Sequence, residues 1–85
     1  MDKDLLDAAT RLSVALLEQR QVIVTAESCT GGWVGQVLTA IAGSSAWYDR
    51  GFITYSNAAK HDMLGVPMQT IEGYGAVSVE TAEAM

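Results

Sequence analysis

Apolar residues recur along the chain in short blocks whose spacing alternates between a helical and a strand period. Residues 3 to 20 place leucine and alanine at steps of three and four, which predicts an amphipathic helix. Its apolar stripe is formed by Leu5, Leu6, Ala9, Leu12, Leu16 and Leu17. Residues 22 to 25 are β-branched throughout and too few for a helix, so they predict a strand that is covered on both faces.

The same alternation continues beyond the first strand. A second helix is predicted at about residues 31 to 41, with Gly43 at its end, and a second strand at residues 51 to 55. Asn57 is then predicted to cap a short helix that ends at Gly65. Helices that alternate with strands in this way indicate an α/β fold.

The last third of the chain predicts a turn and one more helix. Residues 73 to 75 carry two glycines around a tyrosine, which is typical of a turn. Ser78 resembles an N-cap, with Glu80 in the first turn of a helix that runs to residue 85. No capping residue closes that helix, so we expect the chain to be the front part of a larger α/β domain.

Composition and charge exclude several classes of protein. A chain of 85 residues makes at most one small domain, and with 49% apolar residues it is not a disordered tail. Its apolar runs fall short of the roughly 20 residues of a membrane span, and we expect no signal peptide, because no basic stretch followed by an apolar one opens the sequence. A net charge of −5 with five scattered basic residues argues against nucleic acid. The only cysteine cannot form an internal disulfide, so we expect a cytoplasmic protein.

The first strand runs directly into a turn that carries reactive and small residues. Its members are Glu27, Ser28, Cys29, Thr30, Gly31 and Gly32. A serine at a strand-to-helix turn presents its Oγ outward, and the N–H groups of the following residues can hold an oxyanion or a phosphate. The two glycines allow a ligand to approach the backbone closely. The alternative is that Ser28 or Thr30 only caps the next helix.

A serine nucleophile needs a base, and Lys60 is the better of two candidates. It must give up its proton, which burial favours, and Tyr55 at the end of the second strand can relay that proton or orient the lysine. The alternatives are a solvated helix lysine and a half-buried strand tyrosine. His61, the only histidine, has no acid at an obvious partner position and reads as a surface residue. Cys29 is a rival nucleophile or, as we prefer, a small structural residue.

A second candidate binding loop has the sequence "GSSAW" at residues 43 to 47. Ser44 and Ser45 can bind a ligand or simply bond to nearby backbone groups. Trp47 and Tyr48 can stack on an aromatic ring, although such residues more often fill a core. No histidine, cysteine and carboxylate cluster has metal-ligand spacing, so neither a metal nor another cofactor is predicted.

Four blocks of sequence together resemble one family. They are "TAESCTGG" at 25–32, "GSSAWYDRGFITYSNAAK" at 43–60, "LGV" at 64–66 and "YGAVSVETAEAM" at 74–85. They resemble the nicotinamide-nucleotide amidases, also known as the C-terminal domain of the competence- and damage-inducible protein CinA. The resemblance implies a three-layer α/β/α domain, of which residues 1 to 85 are the N-terminal portion. The second half of the family's domain, with a further glycine-rich loop, has no counterpart here.

The resemblance also implies an activity and a site. The family's reaction is the deamidation of nicotinamide mononucleotide to nicotinate mononucleotide and ammonia, and many members are homo-oligomers. Ser28 matches the nucleophile position, and the family's Tyr–x–x–x–x–Lys segment matches Tyr55 and Lys60. The implied substrate-binding residues are Glu27, Thr30, Gly31, Gly32, Ser44 and Ser45. Two other functions stay open: a nucleotide- or phosphate-binding module without catalysis, and a module that only assembles with copies of itself or with the missing half.

Overall fold

The computed structural model describes every residue from Met1 to Met85. In chain order its elements are α1 (Lys3–Gln19), β1 (Ile23–Glu27), α2 (Trp33–Thr39), β2 (Tyr48–Ile53), α3 (Asn57–Leu64), α4 (Met68–Tyr74) and α5 (Val79–Ala84), with a 3₁₀ turn at Ser44–Ala46 before β2. None of these helices combines the length and the apolar character that crossing a bilayer requires. The predicted α/β class is confirmed.

The chain forms two compact units. The first unit consists of Met1–Thr25 and Gly32–Gly51, and the second consists of Ala26–Gly31 and Phe52–Met85. Strands β1 and β2 pair in a two-stranded sheet, and each strand contributes residues to both units.

Two backbone hydrogen bonds show the direction of the sheet. In the first unit the Ile23 N–H donates to the Trp47 carbonyl at 2.8 Å, and in the second unit the Thr54 N–H donates to the Glu27 carbonyl at 2.8 Å. Residue numbers rise in both strands from the first bond to the second, so the strands are parallel.

The first unit holds an apolar core between α1, α2 and the residue that precedes β2. Its buried members are Ala9, Leu16, Val37, Leu38 and Trp47. Helix α1 begins at an N-cap, Asp2, whose carboxylate accepts from the Asp4 N–H at 2.7 Å. Trp47 is buried, so it fills the core and does not stack on a ligand.

The apolar stripe of α1 is narrower than predicted. Leu12 and Leu17 are exposed, whereas Ser13 is buried and donates its hydroxyl to the Thr10 carbonyl at 2.6 Å. The two leucines lie at the edges of the stripe, because residues 9, 13 and 16 share its centre at about 100° per residue. Strand β1 likewise buries only one face: Val24 is 57% exposed, because successive side chains of a strand point to opposite faces. The prediction of a strand covered on both faces is therefore wrong for this chain.

Helix α2 is shorter than predicted, and its end differs. It ends with Ala40 at the C-cap in a right-handed conformation. Gly43, with φ 80°, instead precedes the 3₁₀ turn. The second strand was predicted at residues 51 to 55. In the structure it begins three residues earlier, at Tyr48, and ends two residues earlier, at Ile53.

The second unit contains the three C-terminal helices. Ser56 caps α3 by accepting from the Ala59 N–H at 3.0 Å, so Asn57 is the first helical residue and not the cap. The predicted end at Gly65 is confirmed by its left-handed φ of 71°. Ser78 caps α5 as predicted and accepts from the Thr81 N–H at 3.1 Å.

Helix α4 was not predicted, and the expected turn at residues 73 to 75 is wrong for its first two members. Gly73 and Tyr74 belong to α4, and only Gly75 lies beyond its end. The helix has seven residues and buries Ile71 alone, and seven residues are too few for a helical period to be recognised.

Candidate active site

Strand β1 ends in a turn with an unusual backbone. Cys29 has φ 71° and Gly31 has φ 68°, both in the left-handed region. Glycine adopts this conformation without steric cost, whereas cysteine does not, so the turn is held in place by its surroundings. A Cβ atom added to Gly31 would meet no heavy atom within 4 Å, so the space beside this residue is open. The sequence predicted that α2 begins at about residue 31, inside this turn. In the structure the turn precedes α2, which begins at Trp33.

Ser28 and Cys29 are neighbours on this turn. The Ser28 side chain is half-buried, and its Oγ lies 3.7 Å from the Cys29 Sγ. Cys29 is exposed, so the prediction that it fills a core as a small structural residue is wrong. Both groups are therefore available to a reagent from solution.

Glu27 is the last residue of β1, and its side chain bonds to the turn that follows. Its carboxylate is buried, and Oε1 accepts from the Thr30 hydroxyl at 2.9 Å. Glu27 is thus a buried, hydrogen-bonded acid. The hydroxyl proton of Thr30 is thus used inside the turn.

Lys60 is one of the most buried side chains of the chain. It lies on α3, is 1% exposed, and its Nζ donates to the carbonyls of Thr54 at 3.0 Å and Tyr55 at 3.1 Å. No carboxylate forms an ion pair with it. The alternative of a solvated helix lysine is therefore wrong, since this amine is surrounded by backbone oxygens and not by water.

Tyr55 takes part in this arrangement through its backbone. Its carbonyl accepts from Lys60, while its ring is 73% exposed. The alternative of a half-buried tyrosine is thus wrong, and the phenol is open to a bound molecule. His61, also exposed as predicted, donates from Nδ1 to the Val66 carbonyl at 2.8 Å.

Thr54 connects the two halves of this site and was missed by the sequence reasoning. Its N–H and its Oγ1 both donate to the Glu27 carbonyl, at 2.8 and 3.2 Å, and its own carbonyl accepts from Lys60. The only signal in the sequence was a polar residue at the end of an apolar strand, which is common. Its importance depends on contacts with residues 27 positions earlier and 6 positions later.

The predicted site residues divide between the two units. The second unit contains Glu27, Ser28, Thr30, Gly31, Tyr55 and Lys60, and the first contains Gly32, Ser44 and Ser45. Ser44 is half-buried and Ser45 exposed in the 3₁₀ turn. The Tyr48 hydroxyl is 2.8 Å from the Thr25 hydroxyl, and the Tyr48 side chain packs against the core of the first unit.

Comparison with known proteins places the chain in a family. The sequence model described as the CinA C-terminal domain matches residues 6–85. A protein of Enterobacter agglomerans named nicotinamide-nucleotide amidohydrolase PncC is 50% identical over 84 residues, which are 99% of this chain and 51% of that protein. A protein of the same name from Escherichia coli strain K12 is 52% identical over 77 residues, which are 91% of this chain and 47% of that protein.

A solved structure shows the same relationship in three dimensions. The structure of the competence/damage inducible protein CihA from Agrobacterium tumefaciens matches 100% of this chain and 52% of its own, with a TM-score of 0.97 and 48% sequence identity. The chain thus spans about half the length of the curated relatives it matches. Since the family model covers nearly the whole sequence and the folds agree, the chain belongs to the CinA C-terminal domain family.

Proposed function

We propose that this chain carries the nucleophile and the base of an amidohydrolase that converts nicotinamide mononucleotide to nicotinate mononucleotide and ammonia. Ser28 is the nucleophile, Lys60 the base, and Tyr55 an exposed hydroxyl that assists proton movement. The observation that carries the proposal is the environment of Lys60, which is buried, bonded to two backbone carbonyls and without a carboxylate partner.

Two carbonyl acceptors hold the Lys60 amine in a fixed position. An ammonium group has three N–H donors, whereas a neutral amine has two donors and one lone pair. The carbonyls of Thr54 and Tyr55 accept from two N–H groups of Lys60, so the third position on its nitrogen is the one proposed to meet the hydroxyl of a nucleophile. The arrangement therefore supports general-base catalysis in the manner of a serine–lysine pair.

The reaction follows the usual course of acyl transfer. Ser28 Oγ attacks the carboxamide carbon while its proton passes to the Lys60 amine. The C–N bond then breaks, ammonia leaves with that proton, and an acyl ester remains on Ser28. Water hydrolyses the ester, which releases nicotinate mononucleotide and restores the serine hydroxyl. Backbone N–H groups of the turn, among them those of Cys29 and Gly31, are suited to the oxyanion.

The binding residues have separate proposed roles. Gly31 leaves open space beside the backbone for the substrate, and Thr30 is proposed as a substrate ligand on the family resemblance. Glu27 orients Thr30 through their hydrogen bond. Ser44 and Ser45, in the 3₁₀ turn of the first unit, stay predicted ligands on the family resemblance alone.

The relatives named as amidohydrolases are about twice as long as this chain, so the test uses a complete domain. The 85 residues replace the matching half of the Enterobacter agglomerans protein, and ammonia release from nicotinamide mononucleotide is measured. We expect turnover in this chimera, and Ser28→Ala to abolish it. A chimera that binds the nucleotide without releasing ammonia would instead support a binding module. A chimera that only assembles into oligomers would support the self-assembling alternative.

A further inference from the structure

Thr54 has a buried hydroxyl that the proposed reaction does not use. The side chain is completely buried, and its Oγ1 donates to the Glu27 carbonyl at 3.2 Å. The Thr54 N–H already donates to the same oxygen at 2.8 Å, as the parallel sheet requires. Sheet pairing needs only the N–H, so the hydroxyl is a second donor on one carbonyl and occupies its second lone pair.

The Glu27 carbonyl belongs to the peptide group whose nitrogen is that of Ser28. Two donors on this oxygen restrict rotation of that peptide plane. The plane ends at the Cα atom that carries the Ser28 side chain. The next residue, Cys29, has a left-handed φ of 71°, a conformation that a non-glycine residue keeps only when its surroundings hold it. The hydroxyl therefore acts at the point where the chain leaves regular strand geometry and enters the strained turn.

The same residue also holds Lys60. The Thr54 carbonyl accepts from Lys60 Nζ at 3.0 Å, so Thr54 binds the peptide of Ser28 through its donors and the lysine through its acceptor. We propose that Thr54 is a positioning residue whose hydroxyl fixes the Ser28 turn relative to Lys60. This inference rests on the proposed roles of Ser28 and Lys60, and Thr54 itself touches no reacting atom.

Two substitutions separate positioning from packing. Thr54→Val keeps the shape of the buried side chain and removes the hydroxyl, whereas Thr54→Ser keeps the hydroxyl and removes a methyl group. Neither changes the carbonyl that binds Lys60. A packing role predicts that serine is the more harmful change, while a positioning role predicts that valine is.

The readout is kcat and KM of the chimera for nicotinamide mononucleotide. We expect Thr54→Val to lower kcat about tenfold to hundredfold with little change in KM, because displacement of a catalytic group by about 1 Å has effects of this size. Thr54→Ser should keep kcat close to that of the unsubstituted protein. Full kcat in Thr54→Val, or an equal loss in both variants, would overturn the inference.

A second readout follows Ser28 without any amide substrate. A fluorophosphonate forms a bond between Ser28 Oγ and phosphorus, fluoride leaves, and the serine proton passes to the base. Labelling is measured by intact mass on the 85-residue chain and on the chimera, with Ser28→Ala as the blank. We expect slower labelling in Thr54→Val and a normal rate in Thr54→Ser. Equal rates in both variants would refute the positioning role.

The two readouts distinguish this inference from the proposed function. If the chimera releases no ammonia but Ser28 is labelled and Thr54→Val slows labelling, the substrate is wrong and the role of Thr54 stands. If Ser28 gives neither turnover nor labelling, both proposals fail. Should Thr54→Val not fold, Thr54→Ser and Thr54→Ala form the replacement pair, since they differ only in the hydroxyl, and equal rates in that pair would overturn the inference.

Discussion

Replacement of Lys60 tests the part of the proposal that depends most directly on the structure. Lys60→Met keeps a long, unbranched side chain at a position that is 1% exposed but removes the amine. Two hydrogen bonds are lost, of which the one to Thr54 is buried and the one to Tyr55 is only partly buried. Water can replace the second donor, so the main cost is one buried carbonyl without a partner, about 1–3 kcal/mol.

This magnitude predicts a measurable loss of stability without complete unfolding. In a domain of this size each kcal/mol corresponds to about 4–8 °C in Tm, so Lys60→Met should melt roughly 5–20 °C lower. Burial of an apolar methionine in place of an amine offsets part of that loss. Lys3→Met is the matched control, because Lys3 is exposed on α1, and its Tm should stay unchanged.

The effect on catalysis should exceed the effect on stability. General-base catalysis contributes about 10²–10⁴ to the rate, so Lys60→Met should reduce kcat of the chimera by that factor at a temperature where it is still folded. Lys60→Arg should lose turnover to a similar extent, because guanidinium remains protonated. Arginine retains the charge and the donors, so a role limited to binding a phosphate would survive this change in part.

The arginine variant decides between the two roles. Substantial turnover in Lys60→Arg would show that Lys60 is an electrostatic ligand and that the base lies elsewhere, with His61 as the next candidate. Loss of turnover in both variants, with KM largely preserved where it can be measured, agrees with a base. Unchanged kcat in Lys60→Met would refute the reasoning altogether.

Three further predictions concern the nucleophile, the completeness of the site and the packing of the first unit. Ser28→Ala should lower kcat of the chimera by several orders of magnitude with substrate binding retained, whereas Cys29→Ser should remain active. If Ser28→Ala keeps activity within about tenfold of the parent, the role of nucleophile moves to Cys29. The 85-residue chain alone should release little or no ammonia in a single-turnover assay, and robust turnover would show that the matching half of the relatives contributes little. Gly51→Ala should destabilise the chain by about 1–3 kcal/mol in a denaturant titration, because a Cβ there would collide with the Tyr48 hydroxyl and lie 2.8 Å from the Thr25 hydroxyl; an unchanged midpoint would contradict this packing.

Features that depend on neighbours along the chain were predictable from the sequence. Ser78 caps α5 and Gly65 ends α3 as predicted, because caps are formed by residues within one helical turn. Alternating helical and strand periods were sufficient for the α/β class. The turn after β1 was located correctly for the same reason, since it follows a β-branched run and carries two glycines.

Features that depend on distant residues were decided only by the tertiary structure. Ser13 is buried and Leu12 exposed although both lie near one stripe of α1, because the neighbours that cover α1 come from other elements. Helix α4 is too short for its period to be recognised in its own sequence. The two hydrogen bonds from Thr54 to the Glu27 carbonyl join positions 27 residues apart, and the buried Lys60 amine donates to the Thr54 carbonyl. A local pattern records which face of an element is apolar, but it carries no information about which distant backbone oxygen will meet a particular amine or hydroxyl.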